Sequence, residues 1–220
     1  MELQQSWQDR FYIAVAKKSP SVIPLFKYLY LVILFISVGL GTYFEKSVGP
    51  YFQTFYDLGR TMGQAAIILL GIVVLPGILG RFGIEIRITR IITVFRRQLG
   101  ILVFILAFSH FYLVRFMPWV TGLFPFWTVW QLFEYLGAAA LSLLFVMFLT
   151  SNNYSMRTLG RWWKRTHRIV YVVLWLLVLH TGLQRISIWS VFIFIFAALE
   201  VASLLYARFK SKSQPEQLKS

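Results

Sequence analysis

From Thr61 to Gly80 the chain runs for twenty residues without a charged side chain. That is the length of mostly apolar sequence, about 20 residues, that an α-helix needs to cross the hydrocarbon core of a bilayer. Counting every such run gives six segments: Leu25–Phe44, Leu58–Leu79, Gln98–Met117, Tyr135–Ser155, Ile169–Gln184 and Ile186–Ala207. None alternates apolar and polar residues over about ten positions, so a membrane β-barrel is excluded. Composition agrees. Hydrophobic residues make up 58% of the 220 and charged residues 14%, against roughly 45–50% and about 25% in a soluble domain. Such a surplus has no place in water, and lipid must be the solvent.

The expected fold is therefore an all-α, six-helix integral membrane bundle. Residues 1–24 are expected to be a cytoplasmic N-terminal segment, 25–207 the helical unit, and 208–220 a polar, disordered cytoplasmic tail. Basic residues orient it. Of the 22 Lys and Arg, seventeen fall in the N-terminal segment, the second and fourth connections and the tail, and only Lys46, Arg60, Arg115 and Arg185 in the other connections. Positive charge stays inside, so both termini are read as cytoplasmic. The first apolar run lacks the features of a cleavable signal. Phe116–Phe133, with Pro118, Gly122, Pro125, Trp119, Trp127 and Trp130, is expected to be an external loop in the headgroup layer. The net charge of +14 fits a membrane surface better than nucleic acid, given where the basic residues lie.

The chain has no cysteine and three histidines, His110, His167 and His180. Disulfides, thiolate metal sites, iron–sulfur clusters and covalent haem attachment are thereby excluded. His110 lies 12 residues past Gln98 and His180 lies 11 past Ile169, on helices that start from the same side. Both sit roughly 17–18 Å deep at about 1.5 Å per residue. Two imidazoles at matched depth suit the axial ligation of a b-type haem, although a lone intramembrane histidine is as readily a helix–helix hydrogen-bonding residue. His167 is 13 residues before His180, some 20 Å away along a continuous helix. At its level helix three offers Arg96 and Arg97, which do not ligate iron. One haem is thus expected, and a second only with an unusual ligand. Arg96, Arg97 and Arg165 either orient helices or pair with haem propionates or a flavin phosphate. Glu200 serves proton uptake at a quinone site or reaches an arginine. Gly59-Arg60-Thr61 and Gly137–Ala140 either admit a haem close to the backbone or are plain packing sites.

The stretch LGRWWKRTHRIVYVVLWLLVLH (Leu159–His180), with Trp163, His167, Tyr171 and His180 in W-x3-H-x3-Y-x8-H spacing, resembles the signature of the ferric-reductase-like transmembrane family. LGRTMGQ (Leu58–Gln64), FRRQLG (Phe95–Gly100) and His110 follow the same family pattern. The resemblance implies b-type haem held by His110 and His180, with His167 a further candidate ligand. It is nearest to the stand-alone haem subunits of periplasmic methionine-sulfoxide reductase systems. Those imply a bacterial inner-membrane protein, electrons from quinol or a cytoplasmic flavin reductase, a periplasmic molybdenum-containing reductase as acceptor, and FMN as a second cofactor. The FAD/NADPH module and second helix-three histidine of larger relatives are not found, so hydride from NAD(P)H is not expected to be accepted directly. No catalytic residue is assigned. Two other functions compete: direct reduction of ferric chelates or another terminal acceptor at the outer face, and a non-redox transporter or assembly protein. Acid-poor helices argue against the transporter.

The orientation is checked with topology reporters. A fusion after Ser220 should read cytoplasmic and one inserted near Gly49 periplasmic; the reverse pattern would invert the bundle.

Overall fold

The computed structural model describes residues 7–39, 48–84, 86–122 and 130–213. Its elements are α1 (Trp7–Leu34), α2 (Val48–Phe82), α3 (Arg87–Phe111), α4 (Leu132–Leu149), α5 (Asn153–Leu159), α6 (Arg161–His167), α7 (Val170–Gln184) and α8 (Ile188–Ser213). Six stretches are long and apolar enough to cross a membrane: Ile13–Gly39, Gln53–Phe82, Arg87–Val120, Leu132–Leu149, Arg161–Gln184 and Ile188–Lys210. No strand occurs among the described residues. The expected all-α, six-span membrane bundle is the fold observed.

One buried apolar cluster joins five spans. It contains Leu70, Val74 and Ile78 of α2, Val103 of α3, Leu144 of α4, Val173 and Leu174 of α7, and Ile193 of α8. The outer surface of these spans is apolar too, with Phe145, Trp175 and Phe194 exposed. In water that surface would be a large sticky patch; facing lipid it costs nothing. α1 stands apart from this cluster and leans on α3, through Phe26 against Phe95 at 5.8 Å and the Tyr30 hydroxyl donating to the Gln98 carbonyl at 2.8 Å.

Several helix ends differ from expectation. α1 begins at Trp7, so much of the N-terminal segment is helix, and Pro20 and Pro24 lie inside it. Prolines read as breakers in soluble helices are tolerated in membrane helices. Span three does not end near Met117. It passes through a π-turn, Tyr112–Phe116, and resumes as Met117–Val120. Pro118 has no N–H to give the carbonyl one turn back, and the wider turn accommodates that loss. The expected external loop therefore starts later, at Thr121; Pro125 and Trp127 lie outside the described residues. α8 continues to Ser213 rather than dissolving into a tail at residue 208. Arg185 does divide the last two spans, in extended backbone.

Antiparallel succession sorts the polar residues to two ends. At one end Glu200 of α8, 3% exposed, pairs with Arg81 of α2. Arg81 Nε also donates to Ser203 Oγ at 2.9 Å, and its Nη1 lies 3.4 Å from the Tyr171 hydroxyl. Of the two roles open to Glu200, the structure shows the pairing with arginine. A buried pair broken on one side leaves an uncompensated charge. Arg81→Met should therefore cost about 3–5 kcal/mol, read as a lowered melting midpoint in detergent. Arg81→Met combined with Glu200→Leu should recover most of it.

Candidate functional site

His110 and His180 are brought together. They stand on α3 and α7, and both line the same two cavities, one of 680 Å³ and one of 110 Å³. Ala107, Val114, Leu144 and Leu177 also line both. Gln184 lines both as well, so the two spaces adjoin the histidine pair within a wall that is apolar but for that amide where they share it.

Each ring is held in the same way. His110 Nδ1 lies 2.9 Å from the carbonyl of Gly59 on α2, and His180 Nδ1 lies 2.7 Å from the carbonyl of Phe133 on α4. A carbonyl only accepts, so each Nδ1 carries the proton and each Nε2 keeps its lone pair. Four residues beyond each carbonyl stands a glycine. A Cβ on Gly63 would come within 2.9 Å of His110 Nδ1, and one on Gly137 within 2.7 Å of His180 Nδ1 and Cε1. Residues four apart share a helix face, so the glycine clears the space through which the ring reaches its carbonyl. Gly59 has a second duty: a Cβ there would meet Val114 Cγ2 at 2.8 Å, so its absence lets the π-turn of span three approach α2. The glycines thus serve the imidazoles and the helix contact directly.

His167 lies elsewhere. It ends α6, a short helix separated from α7 by a turn at residues 168–169, so the two histidines of the W-x3-H-x3-Y-x8-H stretch are not on one continuous helix. Its Nδ1 is 3.1 Å from the Trp163 carbonyl, its Nε2 3.4 Å from Ser151 Oγ, and its ring lies 4.1 Å from that of Trp163. It lines a third cavity, of 420 Å³, with Arg96, Arg97, Lys164, Arg168 and Tyr171. Leu70, Val103 and Leu144 line both this cavity and the larger histidine-pair cavity.

The motif residues acquire local reasons. Gly160, at φ +50°, makes the turn between α5 and α6 in a region few other residues enter. Trp163 Nε1 donates to the Thr150 carbonyl at 2.9 Å, tying α6 to the end of α4. Arg96 and Arg97 meet His167, as their level in the sequence required, and do not reach the histidine pair. Arg165 lines none of these three cavities; its guanidinium lies 4.6 Å over Trp162. Arg60, Gln64, Gln184 and Arg185, which line the larger cavity, were not legible as site residues. Their only sequence signal is position, at the helix ends nearest the histidine pair.

Residues 62–178, more than half of the chain, match the family described as ferric reductase like transmembrane component. The chain belongs to the ferric-reductase-like transmembrane family. His110, Gly63, Phe133 and Gly137 lie within the matched residues, and Gly59, Arg60, His180, Gln184 and Arg185 lie just outside them. Two curated relatives are the protein-methionine-sulfoxide reductase heme-binding subunits MsrQ of Agrobacterium fabrum, 38% identical over 96 residues, and of Brucella ovis, 35% identical over 114 residues. The matches cover 43% and 51% of this chain, and 45% and 51% of those relatives. The chain thus spans about half the length of the curated relatives it matches. No solved structure matches it.

The glycine clearances are open to test in this ferric-reductase-like domain. Gly63→Ala and Gly137→Ala should each destabilise by about 1–3 kcal/mol, because each forces a ring off its carbonyl. Gly100→Ala, with nothing within 4 Å of the added carbon, should be neutral or slightly stabilising. Melting midpoints in detergent give the comparison.

Proposed function

We propose that the chain is a b-type haem subunit that passes electrons across the bacterial inner membrane. The observation that carries this reading is the histidine pair: two imidazoles on different helices, lining shared cavities, each with Nδ1 tied to a carbonyl and Nε2 left basic. That is the donor set an iron porphyrin takes from a chain without cysteine. Among the described residues no cluster of three or more His, Asp or Glu is placed to hold a bare metal ion, whereas two axial donors suffice for a metal already held by a macrocycle. The cavity of 680 Å³ lies within the usual range of cofactor pockets, roughly 300–1,000 Å³.

His110 and His180 would hold the iron, which supplies a one-electron Fe(III)/Fe(II) couple with no open coordination position. The Gly59 and Phe133 carbonyls keep both rings in the ligating tautomer and fix their orientation. Leu70, Val103, Leu144 and Leu177 exclude water from the site. Arg96, Arg97, Lys164 and Arg168 around His167 would favour an anionic group at the basic end: the propionates of a second haem or the phosphate of FMN share that chemistry.

The relatives' names, heme-binding subunits of a protein-methionine-sulfoxide reductase, support an oxidoreductase system of that kind. Electrons would come from quinol or a cytoplasmic flavin reductase at the basic end. They would leave at the histidine-pair end toward a periplasmic, molybdenum-containing methionine-sulfoxide reductase. Within this scheme residues 25–207 are the haem unit.

The test is spectroscopic. The purified protein should show a low-spin haem in its reduced-minus-oxidised spectrum. His110→Ala and His180→Ala should each abolish it or leave a high-spin, five-coordinate centre. His167→Ala should leave that low-spin centre in place; loss of about half the haem would instead put a second one in the basic cavity. Full low-spin haem in either His110→Ala or His180→Ala would defeat the reading, and flavin extracted from the wild type decides the FMN assignment.

A further inference from the structure

Arg115, Trp130 and Glu134 line the smaller of the two histidine-pair cavities. They stand at the end of the spans opposite the Arg81–Glu200 pair. Arg115 pairs with Glu134 at 3.3 Å, the two side chains being only 22% and 21% exposed. Its guanidinium also lies 5.3 Å over the ring of Trp130. Glu134 has a second partner: its Oε2 accepts from the Gln131 N–H at 2.8 Å, which caps the start of α4.

Arg115 reaches this cavity because of the π-turn. In an unbroken α-helix the residue five positions past His110 points about 140° away from it. Span three instead passes through Tyr112–Phe116 as a π-turn, and i→i+5 bonding brings a fifth residue back toward the same face. His110 and Arg115 accordingly line one cavity.

The ion pair therefore joins the mountings of both rings. Arg115 belongs to the π-turn that approaches α2 beside Gly59, and the Gly59 carbonyl holds His110 Nδ1. Glu134 directly follows Phe133, whose carbonyl holds His180 Nδ1. Helix ends fray unless their first turn is tied down. Fraying of α4 would carry the Phe133 carbonyl away from His180.

We propose that Arg115 and Glu134 are positioning residues, a latch from the π-turn of span three to the first turn of α4 that holds the two imidazoles in register. The inference rests on the haem reading above. The latch acts through the Phe133 carbonyl and through the turn that follows His110. With it closed, each ring stays on the iron and an outside ligand finds no vacant position.

Carbon monoxide is the probe, because it binds a bis-histidine ferrous haem only after one imidazole has left. The purified holoprotein in detergent is reduced and mixed with carbon monoxide, and the rate of carbonyl formation is read from the spectrum. Arg115→Gln and Glu134→Gln should each react about fivefold faster than the wild type. The double variant should be no faster than either, because both single changes break the same bond. Glu134→Gln keeps an acceptor for the Gln131 N–H, so its effect reports the ion pair and not the cap. Arg115→Lys, which keeps the charge, should stay within about twofold of the wild type.

Unchanged rates in both glutamine variants would overturn the latch, as would rates that multiply in the double variant. An effect confined to Arg115→Gln would overturn it too, since Arg115 would then act through a group other than Glu134. Should Glu134→Gln not be recovered, equal rates in Arg115→Gln and Arg115→Lys would be the overturning result. Failure of the haem reading looks different: the wild type itself would show no low-spin haem before carbon monoxide is added.

Discussion

The bond from each imidazole Nδ1 to a helix carbonyl governs the arrangement of the site. A carbonyl inside an α-helix already accepts the N–H four residues on, and an imidazole packed this close reaches its second lone pair here because the side chain at that next turn is absent. Gly63 beyond Gly59, and Gly137 beyond Phe133, meet that condition. One interaction therefore does three things. It joins α2 to α3 and α4 to α7, satisfies a ring nitrogen that lipid would leave unpaired, and leaves Nε2 as the only free donor on each ring. The same construction occurs at both histidines on four different helices, which makes them a matched pair.

Charge is arranged around that pair with equal economy. The buried acid, Glu200, is neutralised by Arg81, which also reaches Ser203 and Tyr171. Tyr171 in turn lines the His167 cavity. The ion pair thus fixes α2, α7 and α8 beside the basic cavity, and four further cations give that cavity its character. At the opposite end arginines occur at helix ends and line the larger cavity, together with aliphatic side chains that line both histidine cavities. Placing cations at rims and apolar groups at depth is what a low-dielectric interior imposes on any chain that must host a charged cofactor.

Much of this was legible in the sequence, and what was not has physical causes. Six apolar runs fix six spans, because chain length against bilayer thickness is a one-dimensional problem. The convergence of His110 and His180 followed from equal distances along two like-directed helices, and Arg96 and Arg97 fell at the level of His167 by the same count. Helix ends were less accessible. Pro20, Pro24 and Pro118 look like terminators, yet α1 runs through the first two, with Ser19 Oγ donating to the Ala16 carbonyl, and a π-turn precedes the third. The roles of Gly63 and Gly137 were hidden because a clearance belongs to two helices at once and leaves no trace in either segment alone. Arg165 shows a related limit: it is two residues from His167 in the sequence, but its guanidinium lies over Trp162 on the same short helix.

Leu70, Val103 and Leu144 decide how the two ends communicate. They line both the histidine-pair cavity and the basic cavity, so the wall between the spaces is no thicker than those side chains. Such a wall opposes ions and water, since each would be desolvated with nothing to hydrogen-bond. It places no comparable penalty on an electron, which can tunnel through a short apolar gap without a charged side chain as a stepping stone. The described spans offer no chain of ionisable groups between the two cavities that would carry protons along with it. Among the described residues the buried acid, Glu200, is held in an ion pair with Arg81 at the basic end, away from that wall.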